Sequence, residues 1–350
     1  MDLAILAAAR FSISPPFAGG MEMHTHVLGN GLVARGHRVT VYAAGGEGRF
    51  AVRPMIPMAF ACSPQARRDI TAGPTDAVAE HHSYLEAIVH LATAGHDLVH
   101  LNAVHHLPFA CAGLLPCVVT ATLHSPPTPW LESALAISTI RGNAPHLVSV
   151  SSANAASWGE LAVERVIGNG VDLQVWRPGP GGDGAAWTGR IVAEKAPHLA
   201  IDACRTAGMS LRLMGPVHDE DYFATQIRPR LGAGIDYLGH GDVADVVALV
   251  GSSAVALVTP TWEEPFGLVV TEALACGTPV TGFRRGALPD LVDAATGVLA
   301  PPDDVEALAA ALLQAATLDR RDCRARAERK FSADVMIDAY EAWFEDLVAS

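Results

Sequence analysis

Short apolar runs alternate along this chain with longer stretches in which apolar positions return every three or four residues. LAILAAA (3–9) is apolar throughout, which predicts a strand buried on both faces. The loop RFSISPPFAGG follows, then helical spacing from about Met21 to Ala34. RGHRVTVYAA returns to a strand, with Gly36 placed to end the helix. Strand, loop, helix, strand is the opening of a parallel α/β unit, because parallel neighbours need a helical crossover. DLVHLN (97–102), PCVVTATLH (116–124) and PHLVSVS (145–151) continue the pattern, separated by helical or loop segments. Residues 44–80 are less regular and hold Arg67 and Arg68; they read either as a surface excursion or as an acceptor-side loop.

The periodicity stops from Gly168 to Gly184. GNGVDLQVWRPGPGGDG is rich in glycine and proline and reads as an interdomain connection that would permit movement. Beyond it AWTGRIV, MSLRLMG, GIDYLGH, AVALVTP and GTPVTGF predict a second set of strands. Helices are expected near 195–207, 219–231, 242–251 and 267–276, with further helical patterns over 303–317 and roughly 333–348. The expectation is two Rossmann-like α/β domains, 1–167 and 185–332, with parallel sheets facing a cleft, joined by 168–184. A length of 350 residues agrees with two cores. Ligands of open parallel sheets gather at the carboxyl ends of the strands, so the informative loops leave Ala9, Thr122, Gly189 and Pro260.

Composition narrows the partners. Half of the residues are apolar and 17% are charged, which describes a folded chain rather than a disordered one. A formal net charge of −13 argues against a nucleic-acid backbone or an anionic membrane face as the partner. Up to Pro180 the chain has ten arginines, twelve acidic residues and no lysine, a near balance that favours a soluble acceptor while leaving a lipid one open. Cysteines at 62, 111, 117, 204, 276 and 323 form no CxxC pair and read as reduced thiols of a cytoplasmic protein. MDLAILAAARFSISPP lacks the basic segment of a signal peptide and fits a first strand better. No uncharged apolar run approaches the roughly 20 residues of a membrane helix.

Four loops carry candidate chemistry. Gly19 and Gly20 precede a helix, where glycine lets an anion approach the free N–H groups; the bland reading is a turn. Neither GxGxxG nor GKS/GKT occurs. Arg190 and Lys195, in GRIVAEK, suit a pyrophosphate, one as a hydrogen-bonding fork and one as a point charge, or form a solvated basic pair beside Glu194. Lys195 is one of only two lysines. In WEEPFGLVVTEALACGTPV, Glu264 stands in a loop and Glu272 inside the following helix. Two carboxylates beside the N–H groups of Phe266, Gly267 and Leu268 suit a polyol and its phosphate, or a helix cap plus a surface residue. His124 ends a predicted strand beside Ser125, where it could donate to an oxygen or shuttle a proton. The spacing of His100, His105 and His106 matches no metal motif, so no metal is expected.

PPFAGGME, GNGVDLQVWRP, GRIVAEK, EEPFGLVVTE and ALACGTPVTGFRRGALPDLV, in this order and over nearly the whole chain, resemble glycosyltransferase family 4, the nucleotide-sugar-dependent retaining enzymes of the GT-B fold. The resemblance implies that Gly20 lies near the donor phosphates, that Arg190 and Lys195 bind the pyrophosphate, and that Glu272 binds the nucleotide ribose. It further implies that Glu264 contacts hydroxyls of the transferred sugar, that His124 lies beside that sugar, and that the backbone of Phe266 to Leu268 holds sugar and phosphate oxygens. A UDP-sugar is the leading donor, and the terminal helix, 333–348, would complete the first domain. Ala196 stands where such enzymes commonly have glycine and Asp290 where glutamate is frequent, which bears on loop shape and donor preference. Rival readings are a GT-B epimerase, a sugar phosphorylase and a noncatalytic nucleotide-sugar sensor.

Overall fold

The computed structural model describes residues 1–55, 62–69, 74–140, 142, 144–161 and 163–350. By its internal contacts the chain forms two units. Unit 1 is residues 1–150, 157–167 and 337–350, and unit 2 is residues 151–156 and 168–336.

Unit 1 holds strands β1 (Asp2–Leu6), β2 (Ser12–Ile13), β3 (Arg38–Ala43), β4 (Gly45–Gly46), β5 (Ala51–Pro54), β6 (Leu98–Leu101), β7 (Val118–Leu123), β8 (His146–Ser149) and β9 (Val163–Val166). Seven of them form one sheet in the order β5-β3-β1-β6-β7-β8-β9, every pair parallel, while β2 and β4 pair separately. The apolar run 3–9 outlasts its strand: β1 ends at Leu6, and Ala7 to Ala9 stay buried as the start of the carboxyl-edge loop. Tyr84, from the Thr75–Ala94 helix, pins that loop by donating from its hydroxyl to Ala7 O (3.2 Å) and accepting from Ala9 N (3.3 Å). The acceptor-side reading of 44–80 falls partly outside the described residues, at 56–61 and 70–73; Arg67 and Arg68 occupy one exposed turn.

The last helix, Ala333–Ala349, contributes its residues from Ile337 onward to unit 1. Tyr340, Trp343 and Phe344 are fully buried there, each side chain stabilising by about 2 kcal/mol on burial alone. Gly31 makes room for this helix, since a Cβ there would lie 2.2 Å from Ile337 Cδ1. Arg35 adds an ion pair to Glu341 at 3.1 Å, and His37 Nε2 a hydrogen bond to the same carboxylate at 2.8 Å.

Unit 2 holds β10 (Ala185–Thr188), β11 (Leu211–Met214), β12 (Ile235–Tyr237), β13 (Val255–Val258), β14 (Val280–Phe283) and β15 (Gly297–Ala300), all parallel, in the order β12-β11-β10-β13-β14-β15. The helix expected over 219–231 is broken into Glu220–Tyr222, a π-turn Phe223–Ile227 and a 3-10 turn Arg228–Arg230. Pro229 explains the end of that run, because it has no N–H to continue the helical ladder.

The segment 168–184 departs from the expected loose connection. It packs as part of unit 2, and its glycines serve close approach. A Cβ on Gly179 would lie 2.3 Å from the Gly251 backbone, and one on Gly182 2.5 Å from Ser252 O. The Arg320–Lys330 helix stitches the segment down: Arg324 donates to Trp176 O and Ala275 O (both 2.8 Å), and Arg320 donates to Gly251 O (2.9 Å) and Cys276 O (3.1 Å). Gly179→Ala is therefore expected to destabilise the protein by about 2–3 kcal/mol, read as a lower denaturant midpoint at unchanged slope; an unchanged midpoint would show that the segment is not held. Among the described residues no helix is long and apolar enough to cross a membrane.

Candidate functional site

In unit 2 the chemistry gathers at the carboxyl ends of β10 and β13. Gly189 follows β10 with φ 148°, and the chain is so tight there that a Cβ on Gly215 would lie 1.8 Å from Gly189 O. A short turn, Ala193–Lys195, then leads into the Pro197–Ala207 helix. Ala196, between them, is left-handed at φ 45° and ψ 51° although it is not glycine, a conformation costing about 1 kcal/mol. Buried Ala196 holds it by donating its N–H towards Val192 O (3.3 Å) and Ala193 O (3.1 Å), while the Thr259 hydroxyl lies 3.1 Å from both Lys195 O and Ala196 O. This kink aims Lys195 back over the strand ends.

Lys195 Nζ pairs with Glu264 Oε2 and lies 5.2 Å from the centre of the Trp262 ring, whose Nε1–H also donates to Glu264 Oε2 (3.1 Å). Thr188, Gly189, Lys195, Pro260, Glu264 and Val269 line a pocket at this edge, floored by Trp187 and Leu257. Arg190 is half-exposed and pairs with Glu194 Oε1 at 3.2 Å, so each of the two cations expected at a pyrophosphate is held by its own carboxylate.

The loop bearing Glu264 is anchored through its backbone: Glu264 O accepts from Ala287 N (2.9 Å), and Pro265 O accepts from Ser151 Oγ (2.6 Å). Phe266 is buried, and Gly267, left-handed at φ 91°, starts the Leu268–Ala275 helix without a side-chain cap. First-turn N–H groups without a cap are the local property a phosphate or sugar oxygen requires. Glu272 lies one turn further along this helix, largely buried, and burial alone pushes its carboxyl up to about 8, with no neighbouring cation offsetting the shift.

Unit 1 carries the remaining candidates. Gly19 caps the Gly20–Ala34 helix in an extended conformation with no side-chain cap. The helix start is met by the chain's own Glu22, which is 4% exposed, and whose Oε2 would lie 3.1 Å from a Cβ on Gly19. Burial raises the Glu22 carboxyl, opposed by hydrogen bonds from the backbone of Glu22 and Gly19. An anion entering beside Gly19 and Gly20 thus meets a carboxyl already biased towards its neutral form.

His124 follows β7, half-buried, with Nε2 2.5 Å from Asn102 Oδ1; burial pushes the ring down to about 4, so it is neutral at pH 7. Asn102 follows β6, and its Nδ2 reaches Thr25 Oγ1 (2.5 Å) and His24 Nδ1 (3.2 Å). Sequence reasoning missed His24, Thr25, Asn102 and Glu22. The available signal was positional: Asn102 ends an apolar run as His124 does, and the other three lie in the first turns of the helix after Gly20.

His100, His105 and His106 do not form a metal cluster. His100 bonds Thr120 and Thr122 inside the core, and His105 and His106 stack on one another at 4.6 Å between Tyr84 and Trp130. Among the described residues, His37, Glu341 and Glu345 are the group whose ligand atoms fall within 4.8 Å of one another, and His37 there already pairs with Glu341. The six cysteines form no disulfide with one another.

Two family models match the chain, Glycosyltransferase Family 4 over residues 18–175 and Glycosyl transferases group 1 over residues 185–330. A glycogen synthase of Mycobacterium tuberculosis is 29% identical over 342 residues, covering 85% of this chain and 82% of that protein. Among solved structures, AviGT4, a glycosyltransferase involved in avilamycin A biosynthesis, superposes with a TM-score of 0.75 at 21% identity, covering 100% of this chain and 98% of that one. Anabaena Alr3699/HepE in complex with UDP-glucose superposes with a TM-score of 0.75 at 20% identity, covering 98% of this chain and 100% of that one. The two parallel α/β units are those of the GT-B fold.

Proposed function

We propose that this chain is a GT-B-fold glycosyltransferase that moves a hexose-type sugar from a UDP-sugar to a hydroxyl of a small acceptor with retention of anomeric configuration, a reading supported by the two family models and the fold. The observation that carries this reading is the pair Lys195 and Glu264 at the carboxyl edge of unit 2, three residues before the uncapped Gly267 that starts the helix bearing Glu272. Lys195 and Arg190 exchange their carboxylate partners for the donor diphosphate, Glu272 takes the ribose hydroxyls, and Glu264, released from Lys195, accepts from hydroxyls of the sugar. The family resemblance assigns Gly19 and Gly20 to the donor phosphates and His124 to the sugar.

In the transfer, the bond between the anomeric carbon and the diphosphate oxygen breaks as the acceptor oxygen bonds to that carbon on the same face. The acceptor proton passes to a donor phosphate oxygen. Negative charge grows on the leaving diphosphate, where Arg190, Lys195 and the amides of Phe266, Gly267 and Leu268 stabilise it more than in the ground state. These groups take the place of a metal ion in the proposed scheme. The free thiols fit a reducing compartment, and the cytoplasm is part of this proposal.

The test is turnover of UDP-, GDP- and ADP-glucose with a panel of polyol and sugar acceptors in EDTA, following nucleotide release and the anomeric configuration of the product by NMR. Acceptor-dependent release of UDP with a retained α linkage is expected. An inverted product would refute retention, loss of activity in EDTA would refute the metal-free scheme, and binding without acceptor-dependent release would identify a sensor instead.

A further inference from the structure

Trp262 touches both members of the Lys195–Glu264 pair. Its Nε1–H donates to Glu264 Oε2 (3.1 Å), and its ring lies 5.2 Å from Lys195 Nζ, which pairs with the same carboxylate oxygen. Two threonines hold these side chains together. The Thr259 hydroxyl lies 3.1 Å from Lys195 O, and Thr261 N donates to Glu194 O (2.9 Å), so the loop bearing Trp262 is stitched to the turn that carries Lys195. Glu263, between Trp262 and Glu264, is occupied elsewhere, accepting from Gly286 N (2.7 Å). Glu264 Oε1 takes no hydrogen bond from the described residues. Oε2 therefore carries two donors of unlike kind. The ammonium is a point charge on a flexible four-carbon stem and follows a stronger anion, whereas the indole N–H is uncharged and fixed in a rigid ring.

We propose that Trp262 is a positioning residue of unit 2, the partner that keeps hold of Glu264 when Lys195 leaves for the donor diphosphate, and that it thereby lowers the cost of the exchange. The inference rests on the reading above, in which the diphosphate draws Lys195 off its carboxylate. The Glu264 side chain is only 12% exposed, so a carboxylate abandoned there has little water to turn to and holds the ammonium back. With the indole N–H still on Oε2, the carboxylate stays paired and Oε1 stays clear. The ring face serves the other half of the cycle, as the place to which the ammonium returns once the diphosphate has gone. The N–H counts most when nothing else donates to Glu264. That is the case with UDP, which brings a diphosphate and no sugar, more than with UDP-glucose, whose hydroxyls also donate.

The experiment is calorimetric binding of UDP and UDP-glucose to the wild-type protein, Trp262→Phe, Glu264→Ala and the double variant. Trp262→Phe keeps a ring face for Lys195 and removes the N–H. It is expected to weaken UDP binding about tenfold and UDP-glucose binding by less, and to change neither in the Glu264→Ala background, where no carboxylate is left to hold. Equal affinity of the wild-type protein and Trp262→Phe for UDP overturns the proposal. So does the same loss with and without the Glu264 carboxylate, which is what a merely structural ring would give. Nitrogen–proton NMR of the indole groups is a second readout that does not depend on the folding of Trp262→Phe. Of the six tryptophan indole signals, one is expected to move upfield in Glu264→Ala and to stay downfield when UDP saturates the wild-type protein. The absence of such a signal refutes the hydrogen bond, and an upfield move on adding UDP refutes its retention. Failure of both UDP and UDP-glucose to bind overturns the donor reading and the exchange with it, while the indole signal still decides the hydrogen bond of the free protein by itself.

Discussion

Lys195→Ala is expected to lower turnover at saturating donor by about 1,000-fold, with a much smaller change in KM. The direction follows from where the charge is. Before the donor enters, Lys195 is neutralised by Glu264 and backed by the Trp262 ring. In the proposed reaction, binding exchanges one anion for another, so the ground state gains little from the lysine. As the glycosidic bond lengthens, charge accumulates on the diphosphate and the same ammonium gains more, so its removal is felt in kcat rather than in KM. Among the described residues the substitution also leaves the Glu264 carboxylate with the Trp262 N–H alone, 3.1 Å away, which disfavours the free enzyme and adds a loss of stability of about 1 kcal/mol. Steady-state release of UDP at saturating donor and acceptor measures the effect; an unchanged kcat would remove Lys195 from the leaving-group site.

Most strands of both sheets were legible because a parallel strand buried on two faces is written as a short uninterrupted apolar run, while β5, β9 and β15, which are partly exposed, were not read. Ile5, Val99, Ala121, Leu213 and Leu257 all come from such runs and are core residues. What the sequence hid was held by polarity. The Arg320–Lys330 helix, RRDCRARAERK, has almost no apolar stripe, since its arginines serve to cap carbonyl groups at the carboxyl ends of neighbouring helices; no hydrophobic period marks such a helix. The glycines of 168–184 looked like freedom in one dimension and are contact surfaces in three, because Gly179 meets Gly251. The same limit applies to the candidate site. Arg190, Lys195, Glu264 and Glu272 stood out as charges beside strand ends and glycines, but the Lys195–Glu264 pair joins residues 69 positions apart, and the Glu22 carboxyl at the first helix start turns on burial. Ala196 lies between these cases: its departure from glycine pointed to loop shape, and the loop keeps the left-handed conformation with a methyl group in it.

Glu272→Gln is expected to make the protein more stable at pH 9 and a weaker donor binder, and the pH dependence separates the two effects. Burial raises the Glu272 carboxyl from 4.5 to about 8 in the folded protein, beside Cys276, whose thiol is itself pushed up to about 12. Between those two values the folded state holds a proton that the unfolded state has released. Stability from this group is therefore complete below pH 4.5, falls as the pH rises, and is lost once the pH passes about 8. The loss amounts to roughly 3–5 kcal/mol, lessened by whatever water reaches the carboxyl. Glutamine does not titrate, so denaturation midpoints of the two proteins should coincide near pH 4.5 and diverge in favour of Glu272→Gln up to pH 9. Donor binding runs the other way. A ribose diol offers two protons, which a carboxylate accepts one on each oxygen, whereas a protonated carboxyl or an amide turns a donor to one of them. UDP-glucose, whose phosphates are ionised throughout, should bind the wild-type protein about tenfold more tightly per pH unit from 6 to 8 and then level off. Glu272→Gln should bind it about 100-fold more weakly at pH 9 and show no such slope. A wild-type affinity that is flat over this range would show that Glu272 does not hold the ribose, and its burial would then be a cost to stability with no binding role to offset it.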